Sequence, residues 1–193
     1  MNSVFEEVPR ATLEADPAVS FVLDGELRLL YCNPAWDQFA VQNEGPHLCS
    51  QHMLGRPVLE GTSGQLFDYY RVLYRGALRD RKPSDHDFHC SSPSLERLMR
   101  MHVYPVRNTA ALLITCSTRV QRPHSTSSEE PIERVYRNHH GVVVMCSNCR
   151  RTRRADKYPE TWDWVSDFVM HQPARVSHGL CNLCLDYYYS VIA

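Results

Sequence analysis

Apolar residues form two short runs near the start of the chain, at residues 19–23 and 27–32. Asp24-Gly25 lies between the runs, and because an Asp-Gly pair is typical of a tight turn, the pattern predicts a β-hairpin. Asn33-Pro34 follows the second run. Asparagine is a favoured N-cap and proline fits the first helical turn, so we predict that a helix begins here. The apolar positions with helical spacing are Ala35, Trp36, Phe39 and Ala40.

A longer amphipathic pattern at residues 66–78 predicts a second helix, because its apolar residues recur every three or four positions. Three strands are predicted after it, at residues 85–91, 96–106 and 110–120. In the middle strand apolar and polar positions alternate, which is typical of a strand with one buried face. The buried positions of that strand are expected to be Met99, Met101 and Val103.

The polar stretch at residues 121–133 holds few large apolar groups and predicts a linker between two units. We therefore divide the chain into a loose or partly helical lead-in at residues 1–16, a larger domain at 17–120 and a smaller unit at 134–193. In the smaller unit residues 142–145 predict a strand. A short amphipathic helix there is expected to carry Trp162, Val165, Phe168 and Val169.

The composition is that of an ordinary globular protein, with 43% hydrophobic and 22% charged residues in a chain of 193. The formal net charge of −1 gives no general attraction to nucleic acid or to an anionic membrane. No apolar run is long enough to span a bilayer and the first residues lack a signal-peptide pattern, so we expect a cytoplasmic protein. Because thiols stay reduced there, the eight cysteines favour metal binding or redox chemistry over a disulfide framework.

Four of the cysteines form two Cys-x-x-Cys pairs, Cys146 with Cys149 and Cys181 with Cys184, and 31 residues separate the pairs. Each pair brings two thiolates onto one turn of backbone, and two facing pairs supply the four sulfurs of a tetrahedral zinc site. We predict that these cysteines bind zinc. The alternatives are iron as the metal, a redox pair, disulfides, or thiols buried as small apolar groups.

Two features beside the pairs have several interpretations. His178 lies three residues before Cys181 and could bind the metal, donate a hydrogen bond to a thiolate, or cap a turn. A basic run after Cys149 would offset the negative charge of four thiolates around a divalent ion. A solvated surface is the simpler interpretation of that run, and nucleic-acid binding is a third. The run consists of Arg150, Arg151, Arg153 and Arg154.

Over residues 17–120 the chain resembles a PAS domain. The resemblance lies in the order of the predicted elements, in the amino-acid sequence of residues 18–40 and in Leu54-Gly55-Arg56. The resemblance implies an α+β fold, an antiparallel sheet with flanking helices, in a bacterial sensory protein. Residues 146–184 resemble a C-terminal segment of some bacterial PAS proteins, sensor kinases and response regulators. That segment reads roughly CxxC…W…SHGxCxxC, and this chain departs from it at Asn182, where proline is common. The implied architecture is a PAS domain followed by a small zinc-ribbon-like unit with four cysteines.

The resemblance leaves the sensed ligand open. Side chains on the predicted strands could line a ligand cavity or fill a packed core. These side chains are Phe88, Cys90, Met99, Met101, Val103, Leu112, Ile114 and Cys116. The predicted central helix has no histidine for a haem, and no flavin-adduct motif like NCRFLQ occurs. The remaining candidates for haem binding are His47, His52, His86 and His89.

We therefore expect a non-enzymatic sensory adaptor that responds to a small ligand or a redox cue and acts on a partner through protein–protein contacts. The sequence contains no Ser/His/Asp set, carboxylate pair or phosphate-binding loop. The resemblance implies a second copy of the chain, a histidine kinase or a response regulator as the partner. The apolar pair Val4-Phe5 is expected to add to a dimer contact.

Two alternatives come from other functional classes. The first is a thiol redox protein that uses the Cys-x-x-Cys pairs, although the pattern predicts no strand-to-helix setting of the thioredoxin type around them. The second is a zinc-ribbon regulator that binds nucleic acid, which the near-neutral charge disfavours.

Overall fold

The structure is a computed structural model that describes most of the chain. The described ranges are residues 2–62, 64–92, 95–123 and 133–189. Of the predicted linker at 121–133, residues 121–123 belong to a strand, while 124–132 lie outside the described residues.

The chain divides into two compact units. The first comprises Met1–Asp87 and Arg100–Thr118, and the second comprises Phe88–Met99 and Arg119–Ala193. The second unit thus contains both Cys-x-x-Cys pairs together with a segment from the middle of the sequence.

The predicted hairpin and the helix after it are both present. Strand β1 is Val19–Leu23 and pairs antiparallel with β2, Leu29–Cys32. Helix α3, Pro34–Gln42, begins at the predicted residue. Asn33 is its N-cap, because the Asn33 Oδ1 accepts a hydrogen bond from the Trp36 N–H at 3.1 Å.

Asn33 also organises the chain around this cap, although it is only 1% exposed. Its Oδ1 accepts a second hydrogen bond, from the Ser20 N–H at 3.0 Å. Its Nδ2 lies within 3.2 Å of three backbone carbonyls, those of Leu13, Asp16 and Ala18. One buried amide therefore joins the lead-in, strand β1 and helix α3.

The lead-in forms two short helices, α1 at Asn2–Glu7 and α2 at Arg10–Ala15. Val4 and Leu13 are each 4% exposed and belong to the core of the first unit. Their partners in this core are Val22, Tyr31, Val106, Ala111 and Leu113. Val4 and Phe5 pack against the sheet of their own chain, and their contribution to a dimer contact stays a prediction.

The middle of the first unit is helical. A 3₁₀ turn at Pro46–Leu48 precedes α4, Ser50–Met53, and the long helix α5 is Gly64–Asp80. Helix α5 extends the prediction by two residues at each end and buries Tyr69, Tyr74 and Ala77. Within the described ranges no helix combines the length and the apolar character needed to cross a membrane.

Three further strands complete a five-stranded sheet, β3 at Ser84–His89, β4 at Leu95–Val106 and β5 at Ala111–Pro123. The strand order is β2-β1-β5-β4-β3, and β1 pairs antiparallel with both of its neighbours. In β4 the predicted alternation is confirmed, since Met99, Met101 and Val103 are buried while the residues between them, Arg100 and His102, are half-buried. The element order and the sheet confirm the α+β architecture that the PAS resemblance implied.

A second sheet of four short strands lies in the second unit. Its strands are β6 at Val143–Cys146, β7 at Thr152–Arg153, β8 at Trp162–Asp163 and β9 at Val176–Gly179. The order is β8-β7-β6-β9, in which only β6 and β9 run parallel.

Two helices and a small apolar core accompany this sheet. A 3₁₀ turn lies at Glu133–Val135, α6 is Ser166–Met170 and α7 is Asn182–Tyr188. The short amphipathic helix that was expected to carry Trp162, Val165, Phe168 and Val169 is thus the shorter helix α6, and Trp162 lies on β8 instead. The core residues are Val143, Met145, Val165 and Phe168.

Candidate metal centre

The first cysteine pair lies in the turn between β6 and β7. Cys146 ends β6, its N–H donates to the Arg151 carbonyl at 2.8 Å, and its carbonyl accepts from the Arg150 N–H at 3.0 Å. Arg150 has a φ of 65°, in the left-handed region that favours glycine. This tight turn brings Cys149 back beside Cys146.

The second pair lies where β9 leads into α7. Strand β9 runs parallel to β6 with Gly179 opposite Cys146, and the Ser147 N–H donates to the Gly179 carbonyl at 2.8 Å. Cys181 is the N-cap residue of α7, and Cys184 lies in the first turn of that helix. The second pair thus begins a helix after a strand, although among the described residues no strand follows α7 to complete a strand–helix–strand unit.

The structure brings all four predicted sulfurs together. The Sγ atoms of Cys146, Cys149, Cys181 and Cys184 lie within 4.8 Å of one another, with Cys149 and Cys181 3.7 Å apart. A zinc ion binds thiolate sulfur at about 2.3 Å, which makes the edge of the ligand tetrahedron about 3.8 Å. The donor set and its spacing thus fit one tetrahedral ion.

Protonation of these thiols is strongly coupled. Hydrogen bonding with Cys149 holds the pKa of Cys146 far below that of a free thiol, and the same contact raises the pKa of Cys149. Four sulfurs at this distance compete for shared protons, and a divalent cation that replaces those protons relieves the competition.

Asn148, inside the first pair, supports the cluster and was not predicted from the sequence. It is 3% exposed, and its Nδ2 donates to the Cys184 Sγ at 3.2 Å. Its Oδ1 accepts from the His89 N–H and from the Tyr189 hydroxyl, both at 3.0 Å. The Asn148 side chain is thereby fixed on both sides, and it joins the two cysteine pairs to each other. In the sequence the available signal was an amide side chain between the two cysteines of a pair. Its supporting role becomes evident only from hydrogen-bond partners that are distant along the chain.

The residues flanking the pairs have separate surroundings. His178 lies on β9 with an exposed side chain and is not part of the sulfur cluster, so its contact with a thiolate stays a prediction. Arg153 pairs with Glu160 at 2.8 Å. Arg154 pairs with Asp156 at 2.8 Å, and this ion pair together with Asp163 raises its pKa. Half of the basic run therefore forms surface ion pairs, as in the simpler interpretation.

A cavity of about 470 Å³ opens beside the sulfurs within the second unit. Cys149 and Cys184 both line it. Arg151 supplies a positive charge to its wall, and Trp164, Leu183 and Tyr187 supply apolar surface. Small molecules can therefore approach this side of the cluster.

The strand residues proposed for a ligand cavity are mostly buried. In the first unit these residues are 0–7% exposed: Met101, Val103, Leu112, Ile114 and Cys116. In the second unit Met99 is buried, whereas Phe88 and Cys90 are half-buried, and Cys90 follows the last residue of β3. A role for these eight residues in ligand binding stays a prediction.

The four histidines considered for a haem lie in different environments. His47 and His52 are exposed. His86 is 6% exposed and its Nδ1 lies 2.9 Å from the Tyr69 hydroxyl, while burial lowers the pKa of His86 to about 4. In the second unit the His89 Nε2 lies 3.1 Å from the Tyr188 hydroxyl.

Comparison with known proteins yields similarity at the level of structure. No family model and no curated protein matches the chain. The PAS domain of BvgS from Bordetella pertussis is 17% identical, with a TM-score of 0.49 over 61% of this chain and 88% of that chain. The PAS domain of nitrogen regulation protein NR(II) from Vibrio parahaemolyticus is 15% identical, with a TM-score of 0.43 over 57% of this chain and 97% of that chain.

A third similar structure is the PAS domain of the quorum-sensing receptor RpfR from Cronobacter turicensis in complex with BDSF. It is 15% identical, with a TM-score of 0.44 over 54% of this chain and 96% of that chain. All three of these solved structures, to which part of this chain is similar, are PAS domains.

Proposed function

We propose that this protein is a non-enzymatic sensory adaptor whose second unit is held together by one zinc ion bound to Cys146, Cys149, Cys181 and Cys184. The observation that carries the proposal is the approach of four sulfurs to within 4.8 Å. Sulfur pairs that serve only as buried apolar groups have no reason to converge from two distant turns. A tetrahedral set of four thiolates suits zinc, with iron as the other metal that takes this geometry.

The metal would supply folding free energy to a unit with a small apolar core. Metal binding is folding free energy wherever the ligands are scattered in the unfolded chain, as these are across 39 residues from first to last. Arg151, beside Cys149 and Cys184, would offset part of the negative charge that four thiolates leave around a divalent ion.

The sensory role rests on the PAS resemblance of residues 17–120 and on the observed α+β sheet. In this proposal the first unit or the thiolate centre receives a small ligand or a redox cue. The response is a change in association with a second copy of the chain or with a signalling protein such as a histidine kinase or response regulator. We place this activity in the cytoplasm, where thiolates stay reduced.

Elemental analysis of protein purified without added metal tests the centre. We expect about one zinc per chain, and four of the eight thiols protected from a thiol reagent until a chelator is added. Absence of both zinc and iron, with all four tail thiols freely reactive, would contradict the proposal. Sedimentation velocity with and without the cue then tests whether association changes.

A thiol redox protein is the second candidate, and two observations favour it. The Cys149 and Cys181 sulfurs are only 3.7 Å apart, and Cys181 lies at the start of a helix after a strand. This candidate predicts metal-free protein with disulfides that a dithiol reductant reverses. The same elemental and thiol measurements therefore distinguish the two candidates.

A further inference from the structure

The four sulfurs are not equally accessible. Cys146, Cys181 and Cys184 are 0%, 1% and 2% exposed, whereas Cys149 is half-buried. Cys149 and Cys184 both line the cavity of about 470 Å³, but of these two only Cys149 is more than 2% exposed, so a small molecule has better access to Cys149. Attack on a thiolate requires contact with the sulfur, and access therefore favours Cys149.

Hydrogen bonding to the sulfurs points to the same residue. The Cys146 Sγ accepts the Cys181 N–H at 3.4 Å, and the Cys184 Sγ accepts the Asn148 Nδ2 at 3.2 Å. In the described ranges, no N–H donates to the Cys149 Sγ, whose close contact is the Cys181 sulfur at 3.7 Å. N–H donors withdraw electron density from a thiolate, so the Cys149 sulfur is a stronger nucleophile than the sulfurs of Cys146 and Cys184.

The cavity walls select among oxidants. Trp164, Leu183 and Tyr187 form an apolar wall, with Leu183 61% and Tyr187 75% exposed, and the charged residues Glu96, Arg122 and Arg151 also line the cavity. Such a wall favours an oxidant with an apolar body over a small polar one, because binding removes apolar surface from water.

From this asymmetry we infer that Cys149 is the redox-reactive residue of the protein and that its reagents are organic hydroperoxides bound in the cavity. The inference deepens the proposed function and depends on it. The Cys149 thiolate attacks the terminal oxygen of the hydroperoxide, a sulfur–oxygen bond forms and the O–O bond breaks. Cys149 becomes a sulfenic acid, and the alkoxide takes a proton from water and leaves as the alcohol.

Cys181 completes the reaction. Its thiolate, 3.7 Å away, attacks the Cys149 sulfur, the S–S bond forms and hydroxide leaves, to be protonated to water. The two sulfurs have then given two electrons to one hydroperoxide. The disulfide withdraws two of the four thiolates from the cluster and leaves two thiolates to bind a metal ion.

The experiment treats the metal-loaded full-length protein with less than one equivalent of cumene hydroperoxide or hydrogen peroxide. Dimedone traps the sulfenic acid, and peptide mass spectrometry locates it and the disulfide. We expect Cys149 to be modified at least about tenfold faster than the other three ligands. We also expect cumene hydroperoxide to react about tenfold faster than hydrogen peroxide, because of the apolar wall.

Leu183→Gln tests the wall without removing a sulfur, and Leu54→Gln, at another exposed leucine, is the matched control. Leu183→Gln should reduce the advantage of cumene hydroperoxide severalfold, whereas Leu54→Gln should leave it unchanged. First modification at Cys146, Cys181 or Cys184 would overturn the inference, as would equal rates for the two oxidants. Protein that lacks metal before oxidation would instead contradict the proposed function, so the two failures are distinguishable.

Discussion

The two units differ in what they bury: large aliphatic side chains are prominent in the interior of the first unit, and cysteine side chains in the interior of the second. Leu23, Val103, Leu112 and Ile114 are completely buried in the first unit. In the second unit the buried residues include Cys146, Cys181 and Cys184, beside an apolar cluster formed by Val143, Met145, Val165 and Phe168. The first unit can therefore be stabilised by the transfer of apolar surface from water, at about 25 cal/mol per Å². In the proposed function the second unit also gains folding free energy from a bound metal ion.

The two buried asparagines extend this comparison. Asn33 connects backbone groups in the first unit and caps a helix, whereas Asn148 connects a sulfur, a backbone N–H and a hydroxyl in the second. A buried amide thus supports apolar packing in one unit and a candidate metal centre in the other. Because of this contrast, mutations can distinguish effects on the stability of the first unit from effects on the candidate metal centre of the second.

The largest expected effect is that of Cys181→Ser. Loss of one ligand should lower the zinc content from about one per chain to near zero and unfold the second unit, because structural zinc contributes on the order of 10 kcal/mol in small metal-binding domains. The first unit should stay folded. Limited proteolysis and circular dichroism would follow the two units.

Cys49→Ser, at a half-buried cysteine of the first unit, is the control and should retain the metal. Unchanged zinc in Cys181→Ser would contradict the four-ligand site. Unfolding of the whole chain at one midpoint would show that the first unit cannot fold without the second.

Substitution of each buried asparagine should show which of the two side chains affects metal binding as well as stability. Asn33→Ala and Asn148→Ala should each cost about 2–4 kcal/mol, because each leaves several buried polar groups without a partner. Only Asn148→Ala should also weaken zinc binding, by about 10- to 100-fold, since it removes the donor to Cys184. Chemical denaturation and chelator competition measure the two quantities, and equal zinc affinities would show that Asn148 plays no part in the centre.

Acid should weaken the first unit through His86, whose pKa burial lowers to about 4. The unfolded chain takes up the proton first, so the stabilisation is complete above about pH 6.5 and is lost progressively toward pH 4, by up to about 3 kcal/mol. His86→Gln can keep a hydrogen bond to Tyr69 but does not titrate, and it should remove this part of the pH dependence. Identical pH profiles of the two proteins would mean that His86 is protonated as easily in the folded state as in the unfolded state.

The smallest expected effect is that of Arg150→Gly in the first cysteine turn. Arg150 has a φ of 65°, and glycine avoids the steric cost of that conformation, so the second unit should gain about 0.5–1 kcal/mol. Arg151→Gly, at the next residue, has no such strain to relieve and should be destabilising. A drop in melting temperature for Arg150→Gly would indicate that the Arg150 side chain itself stabilises the turn.

Local patterns predicted much of the first unit. The hairpin, the Asn33 cap, helix α5 and the alternation along β4 all follow from the chemistry of neighbouring residues. The spacing of the cysteines likewise predicted which sulfurs converge. Predictions in the second unit were poorer, since its strands have two to four residues and are too short to show a period.

Asn148 illustrates what local patterns leave out. Its three side-chain partners lie 36, 41 and 59 residues away along the chain. The burial of Val4 and Leu13 is similar, because a short apolar pattern in the lead-in does not reveal which surface it covers. In both cases the stabilising free energy comes from contacts between residues that are distant in sequence.

The sequence by itself determined which four cysteines bring their sulfurs together and the order of the main elements, because turn chemistry, caps and periodicity act over a few residues. Only the tertiary structure decided that β9 lies parallel to β6, that Asn148 joins the two cysteine pairs, and that Cys149 is half-buried while the other three cysteines are buried. Exposure and hydrogen bonding depend on which distant segments pack together, and the reactivity of each sulfur follows from that packing.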